Sequence, residues 1–178
     1  MAKLKLFNAL DEYTYQPDLF EGADPPTTRT ATTFVFTNGN GDTVTLTGTG
    51  FKYNDDDVPI GGVVEKVTIK NGASQTLLEI TKGNVQLDDL YALLYGYDRE
   101  NDGPENPNPS GAWSLFFMGN DTIIGSNKGD DLIGGRSLGN DIVKGKGGDD
   151  FIKGDAGNDD IDGGAGFDKL SYMESFYD

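Results

Sequence analysis

The chain has 178 residues, a formal net charge of −16 at neutral pH, and neither cysteine nor histidine. This composition excludes disulfide bonds, zinc or copper sites with thiolate or imidazole ligands, and Ser-His or Cys-His nucleophilic catalysis. The acidic balance also argues against nucleic acid or an anionic membrane as a partner, and the length corresponds to one ordinary domain or two small ones.

Residues 1–30 are predicted to form an N-terminal arm and linker. Their apolar and aromatic residues fit no clean period, and the proline pair in Asp24–Thr28 interrupts regular structure as a linker would. Such an arm either packs on a neighbouring subunit or covers an edge of its own domain. The first ten residues are too short and too mixed for a signal peptide or a membrane span, so no membrane insertion is expected.

Residues 31–97 are predicted to form a β-rich domain. Thr33–Thr37 and Thr43–Thr47 alternate apolar and polar residues around an Asn-Gly turn, which indicates a hairpin. Val63–Lys70 and Thr76–Thr81 predict a second strand pair, in which polar residues at every other position indicate a sheet with one wet face.

Three short segments link this domain to the glycine-rich C-terminal region. A helix is predicted near residues 88–97, with Asp88 as its N-cap and Gly96 near its end. Residues 98–111 are predicted to form a polar, proline-rich loop. The very apolar segment 112–118 is predicted to cap the first turn of the C-terminal region, with Trp113 in the core.

A repeat runs from Gly119 to Ser171. Each unit has a glycine two residues before an aspartate, and the aspartates are separated by ten, ten, nine, nine and nine residues. Glycines allow tight turns, carboxylate and carbonyl oxygens suit Ca²⁺, and stacked turns bury a column of apolar residues that one turn could not. The aspartates are Asp121, Asp131, Asp141, Asp150, Asp159 and Asp168, and the apolar residue two places after each is Ile123, Ile133, Val143, Ile152, Ile161 and Leu170.

The units Gly154–Asp162 and Gly163–Ser171 resemble the nonapeptide of RTX (hemolysin-type) calcium-binding proteins. The resemblance covers about the last third of the chain and implies a parallel β-roll with several Ca²⁺ ions between turns. Its implied ligands are the side chains of the six repeat aspartates, together with main-chain carbonyls at the turn positions Gly145, Gly148, Gly154, Gly157, Gly163 and Gly166.

The chain departs from this pattern near the start and at the end of the repeat. The units 125–134 and 135–144 each carry one extra residue, and Phe167 stands where neighbouring units have Asn or Asp. The best-formed sites are therefore expected at Asp141, Asp150, Asp159 and Asp168. The predicted fold is mainly β: an N-terminal β-rich domain with one helix, then a short calcium-bound parallel β-roll over residues 119–178.

Three classes of function are compatible with this fold. The first is a non-enzymatic, extracellular calcium-binding structural or adhesive protein whose repeats fold on binding Ca²⁺. The second is a self-assembling subunit of a filament, surface layer, matrix or virus-particle decoration, in contact with copies of itself through the arm or β-domain. The third is a non-catalytic part of a larger secreted enzyme or toxin, since no Gly-x-Ser-x-Gly elbow is present and histidine is absent.

The resemblance also implies secretion or surface exposure, on a cell or a virion. RTX-like proteins typically leave the cell by type I secretion with a C-terminal signal. The seven residues after Ser171 are fewer than such a signal usually has, so the chain is expected to be a piece of a longer protein or to be exported by another route.

Overall fold

The computed structural model of the protein describes residues 1–7, 22–96, 115–133, 139–154 and 156–171. These residues form twelve strands and one helix, so the prediction of a mainly β protein is confirmed. The elements are β1 (Lys3–Leu6), β2 (Thr28–Arg29), β3 (Thr33–Thr37), β4 (Thr43–Tyr53), β5 (Pro59–Lys70), β6 (Thr76–Gln86), α1 (Leu87–Tyr95), β7 (Thr122–Ile124), β8 (Asp131–Ile133), β9 (Ile142–Lys144), β10 (Phe151–Lys153), β11 (Asp160–Asp162) and β12 (Lys169–Ser171).

The N-terminal half is an antiparallel meander of β2 to β6. In the hairpin of β3 and β4, Phe34 lies opposite Leu46 and Phe36 lies opposite Val44, and all four side chains are buried. Strand alternation places them on one face, and the residues between them, Val35 and Thr45, point to the other. The predicted hairpin is observed, and β3 has its expected bounds, whereas β4, β5 and β6 extend beyond the predicted strands.

Helix α1 covers the apolar face of this meander. Its buried side chains are Leu87, Leu90 and Leu94. The predicted N-cap at Asp88 is wrong, because β6 runs directly into the helix and Gln86 takes the cap position without a side-chain hydrogen bond. Asp88 lies in the first turn, where a negative charge still interacts favourably with the helix dipole. Gly96 ends the helix with a φ of 66°, a left-handed conformation that glycine adopts readily.

Strand β1 joins the two halves of the molecule. It pairs antiparallel with β6 and parallel with β7, so that Leu4 lies between Ile80 and Ile123. Part of the predicted arm is therefore inside the sheet and covers the edge of β6, which corresponds to the second of the two alternatives. Residues 8–21 lie outside the described residues.

The repeat strands alternate between two sheets. β7, β9 and β11 continue the sheet beyond β1, giving a nine-stranded sheet in the order β11-β9-β7-β1-β6-β5-β4-β3-β2. β8, β10 and β12 form a separate three-stranded sheet, and all pairs within the repeat are parallel. The buried side chains Ile123, Val143, Leu132 and Ile152 fill the space between the sheets. This is the arrangement of a parallel β-roll.

The core is continuous from the meander into the roll. Phe116 and Phe117, directly before the first repeat strand, are both buried in it. They belong to the predicted capping segment 112–118. Trp113 and the polar loop 98–111 lie outside the described residues.

Candidate metal centre

Two columns of aspartates run along the roll, one beside each sheet. Column one contains Asp121, Asp141 and Asp159, and column two contains Asp130, Asp150 and Asp168. In column one the backbone N–H of Asp121 donates to Asp141 Oδ1 at 2.8 Å, and that of Asp141 donates to Asp159 Oδ1 at 2.9 Å. In column two the corresponding distances are 2.8 Å and 3.1 Å. Each carboxylate after the first thus binds the backbone of the preceding turn through Oδ1.

The strand register explains why the aspartates stack. Each of them directly precedes a three-residue strand, and parallel pairing aligns the strands of successive turns. In column one the backbone N–H of Ile142 donates to the carbonyl of Asp121 at 2.9 Å, and the N–H of Asp160 donates to that of Asp141 at 2.8 Å. Backbone pairing therefore holds the side chains in line.

Asp131 does not lie in column two, which corrects the register taken from the sequence. Pairing of β8 with β10 aligns Asp131 with Phe151 and Leu132 with Ile152, so Asp130 is stacked on Asp150. The aspartates of the first three turns are thus nine and then eleven residues apart. Two consecutive aspartates followed by two apolar residues allow either alignment by spacing. Packing of Leu132 against the core decides between them.

The head of column one is formed by the N-terminal strand. The backbone N–H of Ala2 donates to Asp121 Oδ1 at 2.6 Å, and the carbonyl of Ala2 accepts the N–H of Thr122 at 3.1 Å. Gly119 N–H donates to Asp121 Oδ2 at 3.4 Å. Burial raises the pKa of Asp121, and these backbone bonds oppose that rise. Ala2 therefore occupies the place that an aspartate takes in later turns, which no repeat in the sequence could indicate.

The head of column two is closed by a serine within the same turn. Asp130 Oδ2 accepts the backbone N–H of Ser126 at 2.6 Å, and Oδ1 accepts its hydroxyl at 3.3 Å. Sequence reasoning missed Ser126, although a hydroxyl at the second position of the unit was a visible departure from glycine.

Asp150 is the aspartate that most needs a cation. Its side chain is 2% exposed, and its Oδ2 has no hydrogen-bond partner among the described residues. Burial raises the pKa of Asp150 to about 6; the backbone N–H of Asp130 opposes this, and the charges of Asp130 and Asp168 add to it. An ionised carboxylate in such a place is costly unless a positive charge meets it.

The space beside Asp150 Oδ2 is kept open by a glycine. A Cβ added to Gly145 would collide with Asp150 Oδ2 and with the carbonyl oxygen of Gly163 in the next turn. Carboxylate and carbonyl oxygens from adjacent turns thus face one small space, and these are the hard ligands that Ca²⁺ takes. The residues present therefore fit Ca²⁺, which would neutralise the carboxylate and link the two turns.

The other predicted turn glycines are explained by backbone geometry. Gly148, Gly157 and Gly166 have φ values of 99°, 144° and 136°, which side chains rarely adopt. A Cβ on Gly157 would also meet the carbonyl of Gly139, and one on Gly166 would meet that of Gly148. Their roles as carbonyl ligands, like that of Gly154, stay predictions.

Within the described residues, no group of three or more acidic side chains could hold a metal ion. A cation between turns would accordingly be bound by one or two aspartates, with backbone carbonyls as the remaining ligands. The last turn is the most open, because Asp168 is exposed while Asp141 is 2% exposed.

A second ladder runs outside the aspartate columns. The backbone N–H of Asn140 donates to Asn120 Oδ1, and that of Asn158 donates to Asn140 Oδ1, both at 2.9 Å. On the opposite side, Phe167 N–H donates to Asp149 Oδ1 at 2.8 Å. Where the residue before a column aspartate is Asn120, Asn140 or Asp149, its side chain therefore stabilises the stacking of turns, and the recurrence of Asn or Asp there was the available signal.

Comparison with known families identifies the repeat. The family model of the RTX calcium-binding nonapeptide repeat matches residues 137–170 in four copies, so the resemblance inferred from the sequence is confirmed over this segment. No curated protein and no solved structure matches the chain. The repeats support a calcium-binding protein.

The helical content was also compared with the requirements of a membrane span. Among the described residues, no helix has the length and apolar character needed to cross a bilayer.

Proposed function

We propose that this chain is a non-enzymatic, extracellular structural or adhesive protein whose β-roll folds on binding several Ca²⁺ ions. The observation that carries the proposal is the buried, unpartnered oxygen of Asp150 facing the carbonyl of Gly163. A roll of this kind is stabilised by whatever cation binds it, because the ligands come together only in the folded state.

The proposal links the calcium sites to the rest of the molecule through β1. This strand belongs to the meander sheet by its pairing with β6 and to the roll by its pairing with β7. Ca²⁺ that orders the roll thereby fixes the β6 edge of the meander, and the rest of the meander is then available for contacts with a partner.

Circular dichroism of the full chain in EGTA and in millimolar Ca²⁺ tests this function. We expect Ca²⁺ to increase the β signal. We expect Asp150→Ala to raise the Ca²⁺ midpoint by roughly tenfold or more, because the number of charged ligands sets affinity over several decades. Asp160→Ala removes the same charge from an exposed position and serves as the matched control. An unchanged spectrum on adding Ca²⁺ to the wild-type chain would contradict the proposal.

A second candidate is an assembly subunit that contacts copies of itself. The last described turn favours it, because Phe167 is 90% exposed and Leu170 is 42% exposed, and β11 and β12 are edge strands among the described residues. Light scattering in the same titration separates the two candidates. Growth into large particles on adding Ca²⁺ supports assembly, whereas a stable monomer supports the first function.

A further inference from the structure

Column two has two gaps between turns that the fold makes equivalent. The upper gap lies between residues 125–130 and 145–150, and the lower gap lies between residues 145–150 and 163–168. Strand pairing stacks the three turns in one register, since Phe151 pairs with both Asp131 and Lys169. Both gaps present the same kind of acceptors: Asp130 Oδ2 and the Gly145 carbonyl oxygen face Gly125, as Asp150 Oδ2 and the Gly163 carbonyl oxygen face Gly145. The gaps differ in the donors that the protein supplies.

The lower gap contains an acceptor without a donor. Asp150 Oδ2 is buried there with no hydrogen-bond partner among the described residues, and the carbonyl oxygen of Gly163 faces the same space. The second position of the last turn is Gly164, which has no side chain to offer.

In the upper gap the protein supplies donors that have no counterpart in the lower gap among the described residues. Asp130 accepts hydrogen bonds from the backbone and hydroxyl of Ser126. The carbonyl oxygen of Gly125 accepts the Lys146 ammonium at 2.5 Å in a partly buried bond. The ammonium of this exposed lysine therefore places a positive charge between the two turns, at the Gly125 carbonyl, whereas the equivalent residue of the next turn is Gly164.

The backbone of Lys146 is consistent with a role for its side chain. Its φ is 78°, in the left-handed region that costs a side-chain-bearing residue energy. At the equivalent place in the next turn, Gly164 has a φ of 93°. Glycine would fit here without strain, so the backbone itself does not require a lysine at this position.

We propose that the Lys146 ammonium is a tethered cation that occupies the upper gap of column two in place of Ca²⁺. The proposal rests on the proposed function in one respect, namely that the lower gap takes Ca²⁺. The roll then has a calcium-independent first step, whose strand β8 contributes Leu132 to the common core, and a calcium-dependent second step.

Native mass spectrometry of the full chain in saturating Ca²⁺ tests the proposal. Lys146→Met removes the charge and the donors while keeping the side-chain length, and Lys144→Met removes the same charge from an exposed site outside the gap. We expect Lys146→Met to bind one more Ca²⁺ ion than the wild-type chain, and Lys144→Met to bind the wild-type number. Equal numbers for all three chains would overturn the proposal.

Thermal unfolding in EGTA provides a readout that needs no Ca²⁺. Loss of the tethered cation is expected to lower the Tm of Lys146→Met by about 2–4 °C relative to Lys144→Met, as a modest loss of stability does in a chain of this size. If the wild-type chain binds no Ca²⁺, the proposed function fails while this comparison still decides the role of Lys146. If Lys146→Met does not fold, Lys146→Gly removes the charge without strain and should gain the same ion; no gain in that variant rejects the idea.

Discussion

Asp130 and Asp131 carry the same side chain in opposite surroundings. Asp130 is 4% exposed, donates its N–H to Asp150 and accepts two hydrogen bonds from Ser126. Asp131 has an oxygen that is buried without a hydrogen-bond partner among the described residues, and burial raises its pKa although Lys153 opposes this. The stabilising aspartate of this turn is therefore the one that sequence spacing did not select.

We accordingly expect Asp130→Ala to lower the free energy of unfolding by about 1–3 kcal/mol, since it leaves buried donors without an acceptor. Asp131→Ala removes a buried oxygen that has no hydrogen-bond partner among the described residues, together with an attraction to Lys153, so the free energy of unfolding should fall by less than in Asp130→Ala or rise. Urea unfolding of both variants in EGTA measures the difference. Equal losses in the two variants would mean that the register of this turn is not the one described.

Asp150 should make stability depend on pH when Ca²⁺ is absent. Burial raises its pKa in the folded protein from the ordinary value of 3.8 to about 6. The folded state therefore holds the proton more tightly than the unfolded chain. The resulting stabilisation is fully present below a pH of about 4 and is lost as the pH rises through about 6.

Thermal unfolding in EGTA between these pH values tests this expectation. The Tm of the wild-type chain should fall as the pH rises, and Asp150→Asn should reduce that fall because an amide does not titrate. Asp160→Asn, which removes a charge from an exposed residue that does not contribute to the raised pKa of Asp150, should keep the wild-type slope. Identical slopes for the two variants would count against a shifted pKa at Asp150.

At the scale of the element, β1 is the joint between meander and roll. Leu4 is fully buried between β6 and β7, whereas Lys3 on the same strand is exposed. We expect Leu4→Ala to cost about 2–5 kcal/mol of unfolding free energy, as large-to-small changes in a core do.

Lys3→Ala should change the free energy of unfolding by less than about 0.5 kcal/mol, because exposed substitutions away from special features have small effects. Urea unfolding in Ca²⁺ compares the two variants. If β1 links the halves, Leu4→Ala also raises the Ca²⁺ midpoint of the roll, although it lies far from the aspartates of column two. A Ca²⁺ midpoint unchanged in a variant with lowered stability would show that the two halves are not coupled.

At the scale of the whole molecule, one sheet and one core run through both halves. The net charge of −16 opposes compaction, and part of it is stacked in the two aspartate columns. Lys146 offsets this charge from within the chain, and the proposed Ca²⁺ ions offset it from outside. In this proposal the Lys146 ammonium and the bound Ca²⁺ ions both stabilise the folded protein.

Much of the architecture could be predicted from short-range patterns. Alternation over Thr33–Thr37 and Thr43–Thr47 determined the first hairpin, and the glycine-aspartate period determined a roll, because both depend on spacings of a few residues along the chain. The same period identified Asp141, Asp150, Asp159 and Asp168, where the units have nine residues.

Only the tertiary structure decided which residues meet across the fold. The choice between Asp130 and Asp131 depends on Leu132 packing beside Ile152, and the head of column one depends on Ala2, which precedes Asp121 by more than a hundred residues. The ammonium of Lys146 reaches Gly125 in the previous turn for the same reason. Local sequence sets the shape of one turn, but register, capping and the partner of each buried charge arise from contacts between turns.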